Sequence, residues 1–168
     1  MSKRRHQHHR ISRAGTGRYA VDLPAEEREV IVGLVQQLRD VLLATTDEPM
    51  VRRLFPTAYN EDPDRDQEYQ QLVRDELLER RLAALDTVEA TASADEVDEA
   101  TLTGWLTALN DLRLVLGTRL DVSEDDLDVD PDDPDAPAHA VYHYLGLLVS
   151  EAVDALERDL PAPTEPDV

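Results

Sequence analysis

The chain has 168 residues, of which 41% are hydrophobic and 32% charged, and its net charge is −20. This length and composition are typical of a single globular domain. No apolar run reaches the roughly 18 residues that a membrane helix needs. The absence of cysteine excludes disulfides, thiolate catalysis, cysteine-ligated zinc and iron–sulfur clusters. We therefore expect a soluble, cytoplasmic domain without a thiol redox switch.

The amino terminus is basic, whereas the remainder of the chain is acidic. The first 20 residues contain six basic residues and no acidic one. Because Gly15 and Gly17 disfavour a helix, we predict that residues 1–17 form a disordered arm. Such an arm touches nucleic acid or the acidic regions of the chain itself, or else it is a solvated tail. The residues that would contact nucleic acid are Lys3, Arg4, Arg5, Arg10 and Arg13.

Residues 18–160 are predicted to form one domain. Arg18–Leu23 reads as a short extended segment with Tyr19, Val21 and Leu23 on one side. Apolar residues then recur with helical spacing in four longer segments, and a short helical insert lies between the first two of them. The predicted helices run from Pro24 to about Thr45, within Glu48–Leu54, from the loop at 60–65 to about Val88, from about Glu96 to Leu120, and over Ala136–Leu160. The predicted fold class is all-α, an irregular bundle of about four main helices with flexible termini.

The segment Trp105–Leu120 is predicted to be the central helix. Its apolar stripe is so wide that other helices must cover it. Among the leucines stand Asn110, Asp111, Arg113 and Arg119, which either form a protein-docking patch or fix the packing of the helices. Helical spacing places Asn110 and Arg113 on one face and turns Asp111 away from both.

Two further segments resemble metal sites only superficially. The acidic loop 121–135 begins like a calcium loop, but Pro131 stands where glycine is required and Pro137 where glutamate is required. His139 and His143 are spaced to share a helix face, yet no third ligand accompanies them. We expect a solvated loop, a free acidic tail over 161–168, no metal and no cofactor.

Three sequence runs together indicate a family. They are RLFPTAY at Arg53–Tyr59, LNDLRLVLGTRL at Leu109–Leu120 and VYHYLG at Val141–Gly146. In this order they resemble the actinobacterial domain-of-unknown-function "twenty-seventeen" family, whose members are often encoded beside the Clp protease adaptor. Some members are described as oxidative-stress transcription regulators that act with an alternative sigma factor. The resemblance covers roughly Tyr19–Leu160.

The resemblance implies a transcription-linked regulator that contacts a sigma factor or RNA polymerase. Without cysteine, the sensing of oxidants would fall to a partner. An accessory or adaptor protein of Clp proteolysis and a nucleic-acid-binding protein that uses the basic arm are the alternatives. We find no catalytic constellation and predict that the chain is not an enzyme. The residues predicted to dock a protein partner are Arg53, Asn110, Asp111, Arg113 and Arg119.

Overall fold

A computed structural model describes residues 9–44, 49–55, 63–122 and 133–157. Four α-helices dominate these residues. They are α1 (Ala25–Ala44), α2 (Pro63–Thr91), α3 (Glu99–Arg119) and α4 (Ala136–Glu157), with a 3₁₀ helix at Pro49–Leu54. Within the described ranges, no helix combines the length and the apolar character that crossing a membrane requires.

The described residues also contain a small antiparallel sheet, so the all-α prediction is wrong in this respect. The sheet has the order β1 (Ile11–Gly15), β2 (Arg18–Val21) and β3 (Glu96–Asp98). Ile11 pairs with Val21, and Tyr19 pairs with Val97. The extended segment predicted from Arg18 onward is confirmed by β2, and its three apolar side chains are buried.

The β1–β2 hairpin occupies a part of the chain that the sequence predicts to be a disordered arm. Gly17 has a φ of +65° in the turn, a conformation that glycine adopts without steric cost. A register irregularity between Arg13 and Gly15 accommodates this turn. The arm prediction therefore differs from the structure over residues 11–17, whereas residues 1–8 lie outside the described ranges.

Helix α3 is the element around which the others pack. It contacts α2, α4 and the 3₁₀ helix most extensively, and Leu102, Trp105, Leu109 and Leu112 are buried in the core. The indole N–H of Trp105 donates to Thr91 Oγ at 2.8 Å, which joins α3 to the end of α2. The prediction of a central helix that other helices cover is confirmed.

The start of α3 is later than predicted. Asp98 is the N-cap, and its carboxylate accepts a 2.8 Å hydrogen bond from the Thr101 N–H. The helix that the sequence predicts from about Glu96 therefore begins at Glu99. Glu96–Asp98 instead pairs with β2, which takes these residues out of the helix.

Arg28 of α1 joins three parts of the fold. Its guanidinium donates to the carbonyl oxygens of Val21, Leu23, Ala92 and Ala94 and to the carboxylate of Asp95, at distances of 2.6–2.9 Å. These five bonds match the five N–H groups that an arginine side chain offers. Arg28 therefore fixes α1 against both the end of β2 and the α2–β3 connection.

Candidate functional site

The predicted docking residues lie on different surfaces. Arg53 is exposed on the 3₁₀ helix. On α3, Asn110 and Asp111 line one pocket, Arg113 contacts α4, and Arg119 borders a separate groove. These five residues consequently do not form a single docking patch.

Asp111 is buried, with 3% of its surface exposed, and its carboxylate pairs with Arg81 of α2. A second N–H group of the Arg81 guanidinium donates to the Leu54 carbonyl oxygen at 2.6 Å, and the guanidinium carbon lies 5.6 Å from the centroid of the Phe55 ring. Burial raises the pKa of Asp111 above its ordinary value, although the hydrogen bond and the charge of Arg81 act in the opposite direction. A side chain so enclosed has little surface with which to contact a partner directly, and the docking role of Asp111 stays a prediction.

A pocket of about 440 Å³ lies against this ion pair, and we call it the Arg81–Asp111 pocket. Arg81, Thr107, Asn110 and Asp111 are its polar lining residues, and its apolar walls come from Leu106, Leu114, Val149 and Val153. Asn110 and Asp111 thus line the same space, whereas helical spacing suggested opposite directions. Arg81 Nε and Asp111 Oδ2 are buried and have no hydrogen-bond partner.

Arg113 takes part in the packing of α3 against α4. Its guanidinium carbon lies 5.1 Å from the centroid of the Tyr142 ring, a distance at which a cation and an aromatic ring attract each other. A Cβ atom at Gly117 would stand 2.8 Å from the Tyr142 ring, and one at Gly146 would stand 3.3 Å from Arg113 Nε. Two of the three sequence runs that indicate the family therefore interlock at this helix crossing.

A second concavity, which we call the apolar groove, lies between α1 and α3, with Leu145 of α4 contributing to its lining. It encloses about 150 Å³. Gln37 and Arg119 are the polar residues among those that line it, and the others are Leu34, Leu38, Val41, Leu112, Val115, Leu116 and Leu145. Arg119 is exposed and forms no ion pair with another of the residues that the structure describes.

Comparison with known proteins settles the family. The model of a family described as a domain of unknown function, DUF2017, matches residues 7–156. The chain belongs to this family. The resemblance inferred from the three sequence runs is thereby confirmed.

Among curated proteins, the chain is 29% identical over 152 residues to a Mycobacterium leprae protein named "Putative oxidative stress regulator AosR". The alignment covers 79% of this chain and 68% of the relative. No solved structure matches the chain.

The basic arm of this DUF2017 member is partly anchored to the domain. The Arg10 side chain pairs with Glu27 of α1 at 2.9 Å, and its backbone N–H donates to Glu151 of α4 at 2.8 Å. Arg10 is thus engaged within the protein rather than free for nucleic acid. Arg13 is exposed on β1, and Lys3, Arg4 and Arg5 lie outside the described residues.

Among the described residues, no further metal ligand joins the two histidines of α4. His143 is exposed, and its ring meets the edge of the neighbouring Tyr142 ring at a centroid distance of 5.5 Å. Across the described ranges, no three His, Asp or Glu side chains come together as a metal site would require.

Sequence reasoning missed two charged residues whose side chains are largely withdrawn from solvent, Arg81, which is 18% exposed, and Glu151, which is 9% exposed. A signal was present in both cases. Arg81 follows Leu77 by four residues and precedes Leu85 by four, and Glu151 follows Leu148 by three. A charged residue within the buried stripe of a helix needs a partner. Its position there therefore indicates a structural or functional role.

Proposed function

We propose that this DUF2017 member is a non-enzymatic regulator that acts by binding another protein in the apolar groove. The groove itself is the observation that carries the proposal, because its lining is almost entirely aliphatic and yet open to solvent. Membership of the family and the regulator name of the M. leprae relative support a regulatory role.

The groove suits the apolar face of a partner helix. Two packed helices border it, and such grooves receive side chains that recur every three or four residues along a bound helix. Arg119 is the one charged residue among those that line it. We therefore expect the bound helix to carry an acidic residue that meets Arg119 at the rim, since a rim charge contributes mainly to orientation and association rate.

Transcription machinery is the partner class that we propose, with a sigma factor or RNA polymerase as the specific candidate. A chain with a net charge of −20 is attracted to proteins with basic, DNA-reading surfaces and is repelled by the phosphate backbone. Long-range attraction would therefore bring the two proteins together, and the groove would supply the specific contact.

The test measures binding of the full chain to purified host RNA polymerase, with and without its sigma factors, by biolayer interferometry. Val115→Gln and Arg119→Glu change the groove and its rim. Leu147→Gln is the matched control, because Leu147 is an exposed apolar residue of α4 that does not line the groove. We expect both groove variants to bind at least tenfold more weakly, with unchanged circular dichroism, and the control to bind normally.

Three outcomes contradict the proposal. The first is that neither polymerase nor any sigma factor binds, and the second is that the groove variants bind as well as the control. The third is binding to Clp components instead, which would make the protein an adaptor of proteolysis.

Deleting residues 1–8 and measuring binding to duplex DNA at two salt concentrations tests the nucleic-acid alternative, because phosphate contacts weaken steeply with salt.

A further inference from the structure

The Arg81–Asp111 pocket has the features of a ligand site separate from the apolar groove. Arg81 comes from α2, Asn110 and Asp111 from α3, and Val149 and Val153 from α4, so three helices hold its walls in place. A volume of about 440 Å³ falls within the range of small-molecule pockets. Its lining combines aliphatic walls with a few convergent polar groups, as such pockets usually do.

The ion pair leaves hydrogen-bonding capacity unused beside this space. Asp111 Oδ1 accepts from Arg81 Nη1, while Asp111 Oδ2 accepts nothing and Arg81 Nε donates to nothing. A buried donor and a buried acceptor without partners each carry an uncompensated desolvation cost. A ligand that donates to Asp111 Oδ2 would remove one of these costs.

The charge of the site limits the class of ligand. Arg81 and Asp111 neutralise each other, so an anion would meet the carboxylate and a cation would meet the guanidinium without a free countercharge. The Asn110 amide at the rim adds one more donor and one more acceptor. The polar end of the ligand should therefore be neutral, and its remaining part should be apolar to contact Leu106, Leu114 and the two valines.

We propose that the Arg81–Asp111 pocket binds a small neutral molecule that carries a carboxamide or urea group on an apolar body. The amide N–H donates to Asp111 Oδ2, and the amide oxygen accepts from the side-chain amide of Asn110. Because Asp111 Oδ2 is buried, the side chains around it must move before the ligand reaches it. The apolar body lies against the aliphatic walls.

Three probes of the same shape test the charge requirement. Benzamide is neutral, benzoate is an anion, and benzamidine is a cation, and all three carry the same ring. Each is titrated into the isotope-labelled full chain, and chemical-shift changes are followed at the Asn110 side-chain amide and the Leu114 and Val153 methyl groups. We expect benzamide to bind at least tenfold more tightly than benzoate and benzamidine.

Two variants locate the binding. Val153→Phe fills the Arg81–Asp111 pocket without altering the ion pair, and Val115→Phe is the matched control that fills the apolar groove instead. We expect at least a tenfold loss of benzamide affinity in Val153→Phe and none in Val115→Phe. Both substitutions replace half-buried valines, so the thermal unfolding of each variant is recorded to show that it remains folded.

Several results would overturn the proposal. If none of the three probes binds, the pocket does not take a neutral amide on an apolar ring. Equal affinity for the three probes would mean that the ion pair does not select the ligand. Equal losses of benzamide affinity in Val153→Phe and Val115→Phe would place the probe outside this pocket. Each result is independent of the partner-binding experiment, because no protein partner is present.

Discussion

Two buried carboxylates illustrate two uses of a charge inside this fold. Among the described residues, Asp111 of α3 and Glu151 of α4 are the buried charged side chains. Asp111 meets the side chain of Arg81 and leaves one oxygen unpartnered beside a pocket. Glu151 accepts the backbone N–H groups of Arg10 and Ile11 at 2.8 and 3.0 Å, and its other oxygen lies 3.2 Å from His9 Nδ1.

The difference lies in what each carboxylate connects. Glu151 serves the backbone at the start of β1, where the hairpin joins the helices, and both of its oxygens have partners. Asp111 connects side chains of two helices and retains an unused acceptor. Both oxygens of Glu151 are thus used within the fold, whereas Asp111 keeps a buried, unpartnered oxygen in a residue that lines a pocket. We infer that the Glu151 region is structural and that the Asp111 region is available for function.

The largest expected effect comes from removing one side of the buried ion pair. Asp111→Ala leaves the partly buried Arg81 without its carboxylate partner, and we expect a loss of about 3 kcal/mol of unfolding free energy. Urea denaturation measures this loss. The double variant Arg81→Met, Asp111→Leu should be nearly as stable as the original chain, because it replaces the pair by apolar groups. A double variant as unstable as Asp111→Ala would contradict this account.

Glu151→Ala should have a smaller effect that is confined to the hairpin. It leaves two backbone N–H groups without their acceptor, and we expect a loss of about 2 kcal/mol. Amide hydrogen exchange should show faster exchange across β1 and little change in α3. Glu157→Ala is the control, since Glu157 is exposed on the same helix. Uniform acceleration throughout the molecule would show that Glu151 supports the whole core.

The pH dependence of stability should reveal the burial of Asp111. Because burial raises the folded-state pKa above the ordinary 3.8, the folded state binds a proton more tightly than the unfolded state. The contribution of this proton binding to the free energy of unfolding is fully present below pH 3.8 and is lost as the pH rises through the folded-state pKa. Relative to Asp111→Asn, the original chain should therefore become less stable with rising pH in that window. A constant difference between the two stability profiles would refute this.

Substitution of the exposed N-cap Asp98 should change the free energy of unfolding least. The pH dependence of this contribution should be opposite to that of Asp111. The Thr101 N–H lowers the pKa of Asp98 below 3.8, so this stability is present above 3.8 and lost as the pH falls through the folded-state pKa. Asp98→Asn should keep the cap but lose the pH dependence, because asparagine also accepts the capping bond. Thermal unfolding of Asp98→Ala, Asp98→Asn and the original chain distinguishes the cap from the charge.

Most helical features follow from the sequence. Predicted and observed bounds for α1 differ by a residue at each end, since Pro24 and the following glutamates mark its start and helical periodicity marks its length. Val30 lies among the apolar residues that recur with helical spacing in α1, but it is exposed. The periodicity therefore identifies the helix more securely than it identifies every residue of its buried face.

The candidate site was predicted only in part. The sequence directed attention to Asn110, Asp111, Arg113 and Arg119, but it could not divide them among a pocket, a helix crossing and a groove. That division depends on which helix lies against each face of α3. Arg81, which completes the pocket, comes from a helix 30 residues earlier in the chain.

The sequence by itself determined the four helices, the extended segment at β2 and membership of the family. Tertiary structure decided that residues 96–98 form a strand, that the chain from residue 9 is ordered against α4, and that Asp111 is buried. The physical reason is the range of the interactions. A helix is encoded by residues four apart, whereas β3 needs β2 as its partner, and the Ile11 N–H meets Glu151 across 140 positions of sequence.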